Sequence, residues 1–104
     1  MDCVEIQITC GSDDEASRIA EALVERRQAA CVQQVPIRSV YRWKGRVEHD
    51  DEVLLLVKTT SARALDIEAT IDELHSYDLP AVTIVPIAGG SDEYLDWLRT
   101  ESTP

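Results

Sequence analysis

Cys31 to Thr60 reads CVQQVPIRSVYRWKGRVEHDDEVLLLVKTT, and this stretch decides the fold. Both halves are rich in β-branched and aromatic residues, which favour strands. They meet at Lys44-Gly45, where glycine accepts the positive φ of a tight turn. The stretch therefore predicts a hairpin of two long strands. Strands usually run about five or six residues, so arms of about a dozen are too long for a small domain to cover on both faces. We expect another chain to cover part of them.

The segment before the hairpin predicts a strand followed by a helix. Residues 3–10, CVEIQITC, alternate between apolar and polar, which is typical of a half-buried strand. Gly11 ends it. Ser12 with Glu15 three residues later matches a capping box, and the helix is predicted to run to about Gln28. Its apolar stripe has the spacing of one helical face: Ala16, Ile19, Ala20, Leu23 and Val24.

Two features inside the hairpin break its regular pattern. Pro36 has no amide hydrogen to donate to a strand ladder, so it predicts either a bulge or an edge strand. His49 to Glu52 is too polar for a central strand. We interpret it as a solvated part of the third strand or as a second bulge.

The segment after the hairpin predicts a helix, a strand and a last helix. Ser61 is a candidate cap for a helix over 62–75, whose apolar residues recur at intervals of three and four. A short strand is predicted over 81–85 and a short helix over 92–98. We expect the tail from Thr100 to be frayed.

The predicted order is βαββαβ with a terminal helix. This order favours an α+β fold, a ferredoxin-like βαββαβ sandwich in a single domain over 1–104, with an extended hairpin of the second and third strands and a short C-terminal helix. Its two long helices cover one face of a four-stranded sheet. The chain has too few apolar residues left to cover the other face, so self-association is predicted.

The composition excludes several classes of partner. The net charge is −10, which disfavours nucleic acid and anionic membrane surfaces. The longest apolar run is five residues, too short for a transmembrane helix. The N-terminus lacks the features of a signal peptide, and we predict a cytoplasmic protein. Three cysteines without a CxxC pair argue against a disulfide framework or a structural zinc site and fit reduced thiols.

Two functions that this fold can carry fit the residues poorly. RNA recognition requires exposed aromatic residues on the first and third strands together with basic charge, and both are missing. Hydrolysis of a phosphate ester requires an anion cradle at a helix start, but the loop over 10–14 carries Asp13 and Asp14. No acid–base pair or nucleophile set stands out, so an enzyme is not predicted.

Metal binding is the third function considered. Imidazole and thiolate together suit Cu or Zn. With no HxxxH or CxxC spacing, a site must assemble from distant segments or from different chains. Cys10 ends the first strand and His75 ends a helix, and these ends are candidates for neighbours. A capping or structural role remains the alternative for His75, and a small buried apolar role for each cysteine. The soft donors are Met1, Cys3, Cys10, Cys31, His49 and His75.

Five segments, taken in order, resemble the CutA family, the divalent-cation tolerance proteins. They are AACV with the following proline at 29–36, SVYRWKGRV at 39–47, EVLLLVKT at 52–59, HSYDLP at 75–80 and YLDWL at 94–98. The resemblance covers nearly the whole chain. Three positions differ from the family pattern: Ser76 replaces proline, Asp78 replaces glutamate and Gln33 replaces asparagine.

The resemblance implies a homotrimer, similar in build to PII-type signalling proteins, in which long strands pair between subunits. It also implies tolerance of copper or another divalent cation. The metal ligands expected on this basis are His75, Cys10 and Asp78, with Cu(II) or another divalent ion as a ligand that folding does not require. Asp78 keeps the negative charge but is one methylene shorter. Inter-subunit pockets are expected to gather Cys31, Tyr41, Trp43, Lys58 and Tyr77.

Two functions from different classes remain open. The first is a homotrimeric protein that binds a divalent metal ion, copper above all, and contributes to metal tolerance. The alternative is a PII-like signalling or scaffold trimer that binds a small ligand or a partner protein in clefts between its subunits.

Overall fold

The computed structural model describes residues 2–104. Its strands are β1 (Cys3–Cys10), β2 (Cys31–Trp43), β3 (Arg46–Thr60) and β4 (Val82–Pro86). They form one antiparallel sheet in the order β2-β3-β1-β4. The helices are α1 (Asp13–Glu25), α2 (Ala64–Leu74) and α3 (Asp92–Glu101). Element order and strand order confirm the predicted ferredoxin-like sandwich with its extended hairpin and terminal helix.

The main core lies between the sheet and the two helices α1 and α2. Because side chains alternate along a strand, β1 directs every second residue to these helices. Ile8 pairs with Leu55 of β3, and both are fully buried. The other main contributors come from β1, β3 and the helices: Ile6, Val57, Ile19, Leu23, Ile67 and Ile71.

A second, smaller core lies under α3. Leu98 packs with Cys3 and Ala30. Because Cys3 alternates with the core residue Val4, α3 lies on the sheet face opposite α1 and α2. The C-terminal tail is not frayed as predicted: α3 continues to Glu101, and Arg27 donates hydrogen bonds to the carbonyl oxygens of Thr100 (2.9 Å) and Thr103 (2.7 Å).

The hairpin is regular over its whole length. Its pairing runs without a break from Cys31 opposite Lys58 to Trp43 opposite Arg46. The bulge considered at Pro36 is therefore wrong, and the edge alternative is confirmed, because β2 is an edge strand and its proline costs no ladder bond to a further strand. At the turn, Lys44 (φ 49°) and Gly45 (φ 80°) are both left-handed, as a two-residue type I′ turn requires.

The polar stretch from His49 to Glu52 also stays in register, so the second possible bulge is wrong as well. His49, Asp50 and Asp51 are exposed, as predicted for a solvated part of β3. Glu52 differs: it is 8% exposed. Its carboxylate accepts a hydrogen bond from the Tyr77 hydroxyl at 2.8 Å, a partner that lies 25 residues away in sequence.

Both long helices differ from prediction at one end. α1 ends at Glu25 rather than Gln28, because Arg27 takes a left-handed conformation (φ 56°) and the amides of Gln28 and Ala29 bond to the Leu23 carbonyl. α2 begins at Ala64, after a 3₁₀ turn over Ser61–Arg63, and no side chain of residues 2–104 caps either start. The fold is thus reached with a different helix start from the predicted Ser61 cap.

The sheet face opposite α1 and α2 is covered only in part. Val35 is exposed there, and its neighbours Leu54 and Leu56 are half-buried. Towards the hairpin tip, Val40 is 67% exposed and Val47 is exposed as well. None of the helices within residues 2–104 has both the length and the apolar character needed to cross a membrane.

Candidate metal site

Three potential ligands meet at one end of the sheet. Cys10 is the last residue of β1, Glu15 lies in the first turn of α1, and His75 directly follows α2. One ligand atom from each residue lies within 4.8 Å of the other two. The fold thus joins a thiol, a carboxylate and an imidazole from three separate elements.

Hydrogen bonds hold the His75 ring in one tautomer. Its side chain is 0% exposed. Nδ1 lies 3.1 Å from the Tyr77 amide nitrogen, which donates to it, so Nδ1 carries no proton. Nε2 therefore carries the proton and donates to the Thr9 carbonyl oxygen at 2.7 Å. The unprotonated Nδ1 lies 3.7 Å from Glu15 Oε1.

Glu15 is held by the loops on both sides of it. Its amide donates to Ser12 Oγ (3.2 Å), as the capping box predicts. Glu15 Oε1 accepts a bond from the Gly11 amide (3.4 Å), and Glu15 Oε2 accepts one from the Ser76 amide (3.0 Å). Burial by itself raises the pKa of Glu15, but the bonds from Ser76 and Gly11 and the nearby His75 outweigh it, so the pKa is lowered. The carboxylate is therefore ionised at neutral pH.

Cys10 stays a neutral thiol at neutral pH. It is fully buried at the end of β1. Burial, and after it the negative charges of Glu15 and Glu52, raise the pKa of the thiol to about 12. A cation held by Cys10 and Glu15 would reverse the sign of this local field, and the thiol that coordinates it would lose its proton.

Tyr77 closes the site from the loop after α2. Its ring lies 4.9 Å from that of His75, centroid to centroid. Its hydroxyl donates to Glu52, and burial followed by this bond raises the pKa of the phenol. The ring lies close to the backbone of Gly11, where an added Cβ would meet the Tyr77 hydroxyl oxygen at 2.8 Å.

The predicted ligands have different places in this site. Cys10 and His75 lie together, at the two chain ends that were candidates for neighbours. Asp78 is exposed and lies outside the group of three. The carboxylate found beside them is that of Glu15, which the sequence identified only as a helix cap. The sequence offered one sign that Glu15 could be a ligand, its position five residues after Cys10. Its assignment as a capping residue drew attention away from that possibility.

The five residues predicted for an inter-subunit pocket lie along the hairpin and its surroundings. Tyr41 donates a hydrogen bond to Asp50, and Trp43 lies at the turn, 5.7 Å from the Lys44 ammonium. Cys31 and Lys58 face each other at the other end, about 40 Å from the turn at the rise of a strand. Lys58 forms an ion pair with Glu5, whose Oε1 lies 2.9 Å from the Lys58 Nζ. A single pocket with all five therefore stays a prediction.

An open groove runs between the start of α1 and the hairpin. Its volume is about 620 Å³. Glu52 lies at its wall, so the groove adjoins the Tyr77–Glu52 bond. The other lining residues are Gly11, Ser12, Asp13, Pro36, Ile37, Arg38, Asp51 and Val53.

Comparison with known proteins gives one consistent result. The family model of the CutA1 divalent ion tolerance protein matches residues 4–101. The chain is 50% identical over 95 residues to the divalent-cation tolerance protein CutA of Thermus thermophilus, covering 90% of this chain and 92% of that protein. It is 41% identical over 98 residues to human protein CutA, covering 91% of this chain but 55% of the human protein. The chain thus spans about half the length of that relative.

Solved structures show the same likeness in three dimensions. The Thermus thermophilus Cut A1 structure superposes with a TM-score of 0.93 at 47% identity, over 95% of this chain and 97% of that one. The CutA structure from Archaeoglobus fulgidus gives a TM-score of 0.94 at 37% identity, over 97% and 99%. On the family match, the identities and the shared fold, the chain belongs to the CutA1 family of divalent ion tolerance proteins.

Proposed function

We propose that this chain acts in metal tolerance as a homotrimer that binds a divalent transition-metal ion at Cys10, Glu15 and His75. The observation that carries the proposal is the convergence of these three ligand types within 4.8 Å of one another. Family membership supports metal tolerance in general. The three residues supply the chemistry for binding the ion in this chain.

The tautomer of His75 suits a ligand. Metal-binding histidines usually donate their second ring N–H to a carboxylate or a backbone carbonyl, which orients the ring. The bond from Nε2 to the Thr9 carbonyl has this form. It leaves Nδ1 unprotonated at 3.7 Å from Glu15 Oε1, with its lone pair accepting from the Tyr77 amide. A histidine that only capped α2 would have no need of Glu15 and Cys10 beside it.

The donor set indicates the class of metal. Nitrogen, sulfur and one carboxylate oxygen are ligands of Zn(II) and Cu(II), whereas Ca(II) and Mg(II) prefer oxygen alone. Around a tetrahedral ion, ligand atoms lie roughly 3.5 Å apart. The present separations, up to 4.8 Å, therefore require the side chains to close in by about 1 Å. We propose Cu(II) as the ion in tolerance and use Zn(II) as a probe that does not oxidise thiols.

Binding is tested by calorimetry with Zn(II) and Cu(II). The protein carries two histidines, His49 and His75, which provide a matched pair. His75→Ala is expected to lose most of the affinity. His49→Ala removes the exposed histidine of the hairpin and is expected to bind like the wild type. Equal binding by all three proteins would remove His75 from the site, and equal losses in both variants would indicate unspecific binding to imidazoles.

The trimer is supported by apolar surface that is exposed on a single chain. The half-covered face with Val35, Leu54 and Leu56 and the exposed Val40 and Val47 of the hairpin are apolar surface that association would bury. Light scattering should give about three times the 11.6 kDa mass of the chain. A monomer at micromolar concentration would contradict this part of the proposal and leave the metal site standing.

The PII-like alternative is favoured by one observation, the groove of about 620 Å³ beside the hairpin. That volume is within the range of small-molecule sites. A thermal-shift screen with metals and with metabolites separates the two functions, since a ligand of the folded state raises the melting temperature. Stabilisation by Zn(II) or Cu(II) that EDTA reverses supports the metal protein. Stabilisation by a metabolite in EDTA supports the alternative.

The cytoplasmic location also stays a prediction. The name of the Archaeoglobus fulgidus structure includes the word periplasmic, and that of the Arabidopsis thaliana relative the word chloroplastic. We propose the cytoplasm because the three cysteines are free. Fractionation of cells that express the untagged protein tests the location directly.

A further inference from the structure

Tyr77 connects the proposed metal site to the hairpin. Its amide donates to His75 Nδ1 at 3.1 Å, and its hydroxyl donates to Glu52 Oε2 on β3 at 2.8 Å. The preceding amide, that of Ser76, donates to Glu15 Oε2 at 3.0 Å. Two successive amides of one loop therefore occupy ligand atoms of two different residues in the site.

The Tyr77 amide competes with any ion for the lone pair of Nδ1, whereas Glu15 keeps further lone pairs beside the one that the Ser76 amide uses. In the tautomer that these hydrogen bonds require, Nδ1 has one lone pair, and the Tyr77 amide uses it. Coordination through Nδ1 therefore requires the Tyr77 amide to give up its acceptor. Loss of such a bond carries a cost in free energy, which lowers the affinity of the site for a metal. The size of this free-energy cost depends on how strongly the loop that carries Ser76 and Tyr77 is held in place.

The Tyr77 side chain holds the loop in place. Glu52 is mostly buried, and a bond between a hydroxyl and a carboxylate is stronger than one between neutral groups. The ring is also pressed against Gly11, where even a methyl group would come within 2.8 Å of its hydroxyl oxygen. The side chain is 37% exposed, and these two contacts restrain its hydroxyl end.

We propose that Tyr77 is a latch that keeps the site closed, with its bond to Glu52 holding its own amide on His75 Nδ1. The inference rests on the proposed function. The latch sets the metal affinity below what the three ligands would give in an open site. By linkage, metal binding loosens the loop over 75–77 and weakens its attachment to β3. Tyr77 is a positioning residue here and contributes no ligand atom.

Two variants open the latch from different sides. Tyr77→Phe removes the bond to Glu52 and keeps the ring. Gly11→Ala keeps that hydroxyl but places a methyl group against it, and the φ of Gly11 lies outside the left-handed region, so alanine is tolerated by the backbone. Tyr94→Phe is the control, because it makes the same chemical change on α3, where the Tyr94 ring stacks against Trp97.

The measurement is Zn(II) affinity by competition with a chromophoric chelator. Tyr77→Phe and Gly11→Ala are expected to bind about tenfold more tightly than the wild type, the equivalent of one charged hydrogen bond. Tyr94→Phe is expected to match the wild type. A tyrosine with a merely structural role would give unchanged or weaker binding when altered. Affinities of both variants at or below that of the wild type would overturn the latch.

Hydrogen exchange on the wild-type protein tests, without any variant, whether metal binding releases the Tyr77 amide from His75. The amide of Tyr77 is expected to exchange several-fold faster with Zn(II) than in EDTA, because it has lost its acceptor. The amide of Ala16, which bonds to the Ser12 carbonyl in α1, is the control and should not accelerate. Unchanged or slower exchange of the Tyr77 amide with Zn(II) would overturn the latch even if a variant failed to fold.

The two proposals fail in different ways. If the wild type does not bind Zn(II), or if His75→Ala binds as well as the wild type, the proposed metal site is wrong and the latch falls with it. If His75→Ala abolishes binding while both latch variants bind no more tightly than the wild type, only the latch is wrong.

Discussion

Glu15 Oε1 lies 3.7 Å from His75 Nδ1, so the carboxylate at the start of α1 faces the imidazole at the end of α2. The same carboxylate accepts bonds from the amides of Gly11 and Ser76. One residue therefore ends a strand-to-helix loop, anchors a second loop and supplies a candidate ligand. The hydrogen bonds from these two amides offset part of the cost of burying the charge.

Metal affinity should rise with pH through Cys10. The pKa of its thiol is raised to about 12, so at every pH near neutrality coordination must release its proton. The affinity for Zn(II) is therefore expected to increase by up to about tenfold per pH unit between pH 6.5 and 8.5. Competition titrations across this range measure the slope, and Cys10→Ala should make it much shallower. A flat profile in the wild type would show that Cys10 stays a thiol and is not a ligand.

Glu15 should contribute to stability above its ordinary pKa of 4.5 and lose that contribution in acid. The folded-state pKa lies below this value, so the unfolded chain takes up the proton first as the pH falls. In EDTA, Glu15→Gln is expected to lower the free energy of unfolding at pH 7 by about 2 kcal/mol, because hydrogen bonds to a charge weaken. Below pH 4.5 the difference from the wild type should shrink. Urea denaturation at pH 7 and pH 3.5 measures it, and Glu21→Gln, on the exposed side of α1, should show no such change.

The turn of the hairpin should depend on Gly45. Its φ of 80° is left-handed, a conformation that costs a residue with a Cβ about 1–2 kcal/mol. Gly45→Ala is expected to lower the free energy of unfolding by that amount. Gly89→Ala is the matched control, because Gly89 has no positive φ and an added Cβ meets nothing within 4 Å. Thermal unfolding that shows equal losses for the two variants would contradict the type I′ turn.

Truncation of two leucines that look alike in the sequence should have different effects on stability. Leu55 of β3 is fully buried, whereas Leu65 of α2 is 79% exposed. Leu55→Ala is expected to cost about 3 kcal/mol through lost burial and an unfilled cavity, and Leu65→Ala less than about 0.5 kcal/mol. Chemical denaturation measures both. A large loss in Leu65→Ala would indicate that another chain covers the outer side of α2.

The fold was predictable because its signals are local. Alternation marked β1, a three-to-four spacing marked α1 and α2, and Lys44-Gly45 marked the turn. Errors arose where distant contacts decide the outcome. Glu52 was assigned to solvent because its sequence neighbours are acidic, yet Tyr77 reaches it from the loop after α2. The tail beyond Thr100 was expected to fray, yet Arg27 binds its carbonyls.

The sequence by itself determined the elements, their order, the ferredoxin-like class and the candidacy of His75 and Cys10, because side-chain periodicity, turn residues and donor chemistry can be read along the chain. Only the tertiary structure decided that Glu15, rather than Asp78, stands beside them. It also decided that Tyr77 links this group to the hairpin. Thr9 and His75 are 66 residues apart in sequence and share a hydrogen bond. Such a contact exists only after the sheet has brought the end of β1 to the end of α2, so no local pattern specifies it.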